Sequence, residues 1–123
     1  MVQLFVHNPP RRSARRIRRV IVEERTYHVH AGKLGEVVKM YETEGIALQL
    51  EHLGNLLGWF WVDVGELSSI VALWGYGSYG DRERRRAELM KDARWQSFIA
   101  RLQPHLHTQW NRILVPTSFS PIR

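Results

Sequence analysis

Midway along the chain, NLLGWFWVDV (residues 55–64) and SIVALWGY (69–76) stand a short turn apart. Both runs are dense in β-branched and aromatic side chains, and Gly65-Glu66 supplies the turn, so they pair as an antiparallel hairpin. A lone hairpin is marginal in water. The flanking segments must therefore complete a sheet and cover it.

On the N-terminal side, Val20–Val29 (VIVEERTYHV) reads as another strand and Ala31-Gly32-Lys33 as a turn. Lys33–Leu50 then spaces Leu34, Val37, Val38, Tyr41, Ile46 and Leu48 as an amphipathic helix, with Gly45 expected to bend it or end its regular part. On the C-terminal side, Asp81 is expected to N-cap a helix over Arg82–Lys91, and Asp92 to mark a break. A further helix is expected from Trp95 to about His107, and Ile113–Val115 supplies the last strand before Pro116 and the irregular TSFSPIR. The order β-α-β-β-α-β is the ferredoxin-like split βαβ of the α+β class, a four-stranded antiparallel sheet with helices on one face. The other face must be covered, and a second copy of the chain is the natural cover.

Charge divides the sequence into two parts. Residues 1–19, MVQLFVHNPPRRSARRIRR, hold six of the 18 basic residues and no acid, which leaves 12 bases against 12 acids from Val20 onward. Residues 1–19 are expected to be a basic, disordered extension, and 20–123 the folded domain. The high isoelectric point belongs to the extension and says nothing about the domain's partners. The extension also has the Arg-rich, acid-free composition of a transit segment, which would place the protein in mitochondria. Against that, Asn8-Pro9-Pro10 breaks the amphipathic helix such a segment needs, so a cytoplasmic location is expected. No apolar run approaches the length of a membrane span, and the absence of cysteine excludes disulfides and thiol chemistry.

DRERRRAEL (81–89) is the most basic stretch of the domain. Its arginines interleave with Asp81, Glu83, Glu88 and Asp92 at helical spacing, the pattern of a solvated face rather than of a phosphate-binding surface, so no nucleic-acid partner is expected. Histidines offer little for a metal site. His28 and His30 share a strand face but lack a third ligand at any obvious spacing; His105 and His107 lie on different sides of the expected helix; His52 stands alone, as a helix cap. No metal site is expected.

The sheet carries the strongest functional signal. Strand alternation places Glu23, Arg25 and Tyr27 together, then Trp59, Trp61 and Asp63, then Trp74 and Tyr76. If these faces coincide, they form one aromatic surface with a carboxylate, a guanidinium and a phenol. Phe60, Val62, Val64, Val71 and Leu73 would then face the helices. Such a polar–aromatic surface is either half of a homodimer interface with Glu23–Arg25 pairs inside it, or also the wall of a pocket for an aromatic or apolar ligand.

ERTY (24–27), AGKL (31–34), HLGNLLGWF (52–60), LWGY (73–76), DRERRRAEL (81–89), WQSFI (95–99) and NRILVPTSFSP (111–121), in this order and spacing, resemble the NIPSNAP domain over about residues 21–121. The resemblance implies the dimeric α+β-barrel superfamily. It extends to Glu23, Arg25, Tyr27, Trp74, Tyr76 and Asn111, and to Arg82, Arg86, Trp95, Arg112 and Pro116 in structural positions. The recurrence of Arg82 and Arg86 implies fixed partners, with the strand carboxylates as candidates. The sequence departs from the family's pattern at Glu24 and Trp61. The resemblance implies a homodimer that binds a small apolar or aromatic ligand or a protein partner. By analogy of fold it also brings in cofactor-independent monooxygenases and haem-binding or haem-degrading enzymes, in which case haem would be the cofactor. No cofactor is otherwise expected.

Overall fold

The computed structural model describes residues 20–123, and the expectation for residues 1–19 lies outside the described residues. Four strands, β1 (Ile21–Val29), β2 (Leu56–Trp61), β3 (Ser69–Tyr76) and β4 (Leu106–Leu114), form one antiparallel sheet in the order β2-β3-β1-β4. Four helices, α1 (Leu34–Met40), α2 (Ile46–Leu53), α3 (Tyr79–Lys91) and α4 (Ala93–Leu102), are carried by the two connections that cross the sheet. This is the ferredoxin-like α+β arrangement.

The first crossover is not one regular helix. Between α1 and α2, Tyr41–Gly45 forms a π-helical turn, and Gly45 is buried where it passes α4. A Cβ on Gly45 would lie 2.5 Å from Phe98 Cζ, so only glycine permits this approach. α2 ends at Gly54, whose φ of +82° favours glycine.

α3 begins three residues earlier than expected. Ser78 is its N-cap, accepting from the Asp81 amide at 3.0 Å, while Asp81 accepts in turn from the Gly77 amide at 3.1 Å. Asp81 is thus the third residue of the first turn and its side chain satisfies another free donor. Asp92 breaks the helix as expected and caps α4 through a bond from the Arg94 amide at 2.8 Å. The last helix stops at Leu102 because Pro104, in the 3₁₀ turn Gln103–His105, cannot continue it. The residues released, LHTQWNRIL, make β4 nine residues long instead of three.

Register settles which faces coincide. Glu23 pairs with Trp74 and Ile113, Arg25 with Ala72 and Asn111, and Tyr27 with Ile70 and Gln109, so these side chains share one face. A bulge between Leu56 and Gly58 brings both Leu56, opposite Trp74, and Trp59, opposite Ala72, onto that same face. The coincidence expected from alternation therefore holds for Trp59 and for Trp61, which stands opposite Ile70. The orientation of this face was expected the other way round. The face with Glu23, Arg25, Tyr27, Trp74 and Tyr76 packs under the helices, against Tyr41, Leu89 and Phe98. Phe60, expected beneath them, is 53% exposed, and Val62, Asp63 and Val64 fall beyond the end of β2. Both faces of β2 and β3 are apolar, so alternation fixes the two sets without saying which is inward. The charged groups decide it, because their partners stand on α3.

Candidate functional site

Glu23 lies in the middle strand region with its side chain fully buried, the central carboxylate of the inner face. Arg25 Nη1 donates to it at 2.8 Å from two residues along β1. Arg82, from α3, donates through Nη2 at 2.9 Å and Nε at 3.2 Å to its two oxygens, a fork matched to a carboxylate. Asn111 Nδ2 donates at 2.6 Å from β4, and the Tyr76 hydroxyl donates at 3.4 Å from β3. Arg86, one turn beyond Arg82, approaches to 3.8 Å. Burial by itself would raise the Glu23 pKa, but the Arg82 hydrogen bonds, the Arg25 charge, Asn111 and Arg86 together hold it down at about 2. A carboxylate so held stays ionised at every physiological pH. It anchors the strand to the helix and is unsuited to trading protons.

The arginine-rich stretch thus divides by helical phase. Arg82 and Arg86 point to the sheet, while Arg84 and Arg85 turn outward and each meet Asp81 at 2.9 Å. Arg85 also reaches back to the carbonyls of His52 and Leu53, the free acceptors at the end of α2.

Beside Glu23 the inner face opens into a cavity of about 350 Å³ between β1, β4 and helices α3 and α4. Arg25, Tyr27, Tyr41, Arg86 and Trp95 supply its polar and aromatic walls, and Ile99, Leu102 and Leu106 its aliphatic ones. Arg25 Nε donates to the Tyr27 hydroxyl at 2.8 Å, which fixes the phenol against the cavity. Burial opposes the Arg25 charge, yet the Tyr27 and Glu23 oxygens raise its pKa above the ordinary guanidinium value. Tyr41 is buried, and that burial, with Tyr27 beside it, raises its phenol well above the usual range. Trp95 stacks on Phe98 at 5.3 Å, and Tyr41 packs edge-on to the same ring.

The residues singled out from sequence are placed unequally. Arg25 and Tyr27 line the cavity, Glu23 and Asn111 lie just behind it, and Trp59 packs on Tyr41 at 5.1 Å. Trp74 and Tyr76 are fully enclosed core residues. Trp61, opposite Ile70, shares the face of Trp59 but is 57% exposed at the end of the edge strand, and Asp63 is exposed in the following loop, so neither reaches the cavity. Among the residues given structural positions, Arg82, Arg86 and Trp95 converge on the site, whereas Arg112 pairs with Glu24 on the outer face and Pro116 follows β4. Tyr41, Met90 and Gln109 line the cavity and were not anticipated. Tyr41 carried a signal, a polar hydroxyl within the apolar stripe of the first helix. Gln109 carried none, because it fell between the expected end of the last helix and the expected last strand.

Elsewhere, His52 Nε2 stands 2.8 Å from Asp92, and Glu51 lies near both, a grouping with metal-ligand spacing. Arg94 Nη2 already sits 2.7 Å from Glu51 and 2.6 Å from Asp92, where a cation would be. His28 meets Ser69 at 3.1 Å, and His30 meets the His107 ring edge-on at 5.4 Å. A hollow of about 300 Å³ beside the chain's end, between Ile21 and Pro116, has Arg123 as its single charged wall among the described residues.

Comparison with known proteins places these features in a group. The NIPSNAP family profile matches residues 22–121. A NipSnap homologue of Dictyostelium discoideum is 32% identical over 94 residues, 76% of this chain and 41% of that protein. The chain thus spans less than half the length of the curated relatives it matches. A crystal structure of a NIPSNAP family protein from Agrobacterium tumefaciens is 50% identical, covering 85% of this chain and 99% of that one, with a TM-score of 0.83. A Nitrosomonas europaea structure named for the antibiotic biosynthesis monooxygenases shares the fold at a TM-score of 0.63 but only 9% identity, covering 88% and 98% of the two chains. Among the described residues, no helix is long and apolar enough to cross a membrane.

Proposed function

The chain belongs to the NIPSNAP family, and from that premise we propose that it is a homodimeric α+β-barrel protein that binds a small apolar or aromatic ligand between its sheet and its helices. The cavity of about 350 Å³ carries this reading: it lies within the size range of small-molecule sites, with aromatic walls and a few fixed polar groups. Its walls come from one subunit, so the site exists in each copy. The dimer falls to the opposite face of the sheet, where Phe60 and Trp110 stand exposed.

Catalysis is the weaker reading. A cofactor-independent monooxygenase needs a base beside its substrate. The cavity walls offer phenols and guanidiniums, and the nearby carboxylate is fully engaged. Haem fits poorly as well. The cavity is near the lower limit for ligand pockets, none of its walls among the described residues is a histidine, and the buried Tyr41 phenol holds its proton too firmly to serve as an axial tyrosinate. The monooxygenase-like structures support the fold alone.

The test is a titration of the full chain with a panel of aromatic small molecules, read by tryptophan fluorescence, since Trp95 stands in the wall. Saturable quenching at one ligand per subunit is expected, and Ile99→Phe, which fills the cavity, should abolish it in a chain that still folds. Absence of saturable binding across the panel, or binding unaffected by the filled cavity, would remove this reading and turn attention to protein partners.

A further inference from the structure

We propose that the molecule held in this cavity is an organic monocarboxylate with an apolar or aromatic body, its carboxylate received by Arg86 and Arg25. The inference rests on the cavity being a ligand site and names the class of ligand it takes.

Three guanidiniums surround the single buried carboxylate of Glu23, but they are not equally engaged. Arg82 grips both oxygens and also reaches Glu83 at the surface, at 3.0 Å. Arg25 spends Nη1 on Glu23 and Nε on Tyr27. Arg86 is left over. Its approach to Glu23, at 3.8 Å, is too long for a hydrogen bond, and its buried Nη1 has no hydrogen-bond partner among the described residues. A guanidinium in such surroundings is destabilised until an acceptor reaches it.

The cavity is where that acceptor would come from. Arg25 and Arg86 both line it, and no aspartate or glutamate does. Glu23 neutralises one charge, Glu83 offsets part of Arg82 from solvent, and a positive excess remains on the cavity side. Two guanidinium edges facing a partly enclosed space suit a planar anion. Beyond them the walls turn apolar through Tyr41, Trp95, Ile99 and Leu102, while the amides of Gln103 and Gln109 sit at the exposed rim. One end of the site is cationic and the other greasy. Because Glu23 is already fully bonded, an incoming carboxylate meets Arg25 and Arg86 from the cavity side without competing with it.

The experiment compares 4-phenylbutanoate, its neutral amide and 4-phenylbutyl phosphate by calorimetry on the full chain, beside Arg86→Met. The carboxylate should bind at least about tenfold more tightly than the amide, the difference one charge-assisted contact makes. In Arg86→Met that advantage should vanish while amide binding stays as it was. Equal binding of acid and amide overturns the assignment of charge but leaves the cavity as a ligand site. Tighter binding of the phosphate ester overturns the carboxylate. Failure of all three to bind overturns the ligand reading beneath both. Should the variant not fold, the acid–amide comparison on the unaltered chain still decides.

Discussion

Glu23 and the arginines around it show where residue-level physics controls this protein. Its folded pKa, about 2, lies below the ordinary 4.5, so the unfolded chain takes up the proton first as pH falls. The stabilisation from its ion pairs is complete above the unfolded value and is lost as pH drops from about 4.5 toward 2, on the order of 3 kcal/mol in all. Glu23→Gln should cost on the order of 3–5 kcal/mol at neutral pH, because it leaves buried guanidiniums unpaired. It should also flatten the acid limb of a denaturant-unfolding series across that window. The Arg94 hydrogen bonds hold Asp92 low, and the Gly77 amide holds Asp81 low, in both chains, so the difference between chains isolates Glu23. An unchanged acid limb would mean that the carboxylate is not held as its geometry indicates. Arg84→Ala, by contrast, should shift stability by less than about 0.5 kcal/mol, since Arg84 pairs in solvent with Asp81 alone. From the sequence these two kinds of arginine look alike. Helical phase separates them only once Glu23, 59 residues before Arg82, is known to face α3.

At the scale of elements, what the sequence reveals depends on whether a signal is local. The hairpin of β2 and β3 was legible because both strands and their turn are contiguous, and β3 falls on the residues expected. The bulge at Leu56–Gly58 was not, since it exists only in the pairing with β3. β4 was misread although Pro104 announces the end of α4 and TQWNRIL alternates in strand fashion. The helical appearance of the preceding residues was carried too far. Gly45 was noticed as a weak helix former, whereas its role is steric. Phe98 and Tyr41 occupy the space a side chain would need, at 2.5 and 2.9 Å from the added Cβ. Gly45→Ala ought to gain roughly 1 kcal/mol of helix propensity and lose about 1–3 to overpacking. A net loss is expected, seen as a lower melting temperature with the same far-ultraviolet spectrum. A melting temperature at or above the parent's would show that the π-turn can yield and that α2 and α4 are not in fixed contact.

For the whole molecule, the same sheet has two unlike faces, and the function divides between them. The inner face is closed by the chain's own helices and holds the candidate site. The outer face brings Thr26 beside Trp110 and Val71, and Val22 beside Leu114, with Phe60 opposite Val71, which makes an apolar strip across all four strands. Phe60 is 53% and Trp110 47% exposed, more bare aromatic surface than a sheet face in water ordinarily carries, and a second copy packed face to face would cover both. The Glu24–Arg112 pair lies within this strip, so its charges are matched before any partner arrives. Glu24, one of the two departures from the family's pattern, is therefore accommodated by a neighbour on β4. Trp110→Asp places an unpaired charge at the centre of that face and should convert a dimer to a monomer in sedimentation velocity at micromolar concentration. The cavity lies on the other side of the sheet, so the monomeric variant should keep its ligand with an affinity within about threefold of the parent's, well under the tenfold of one charged contact. A Trp110→Asp chain that remains dimeric would put the interface elsewhere. One that becomes monomeric and loses its ligand would show that the partner subunit helps to shape the site.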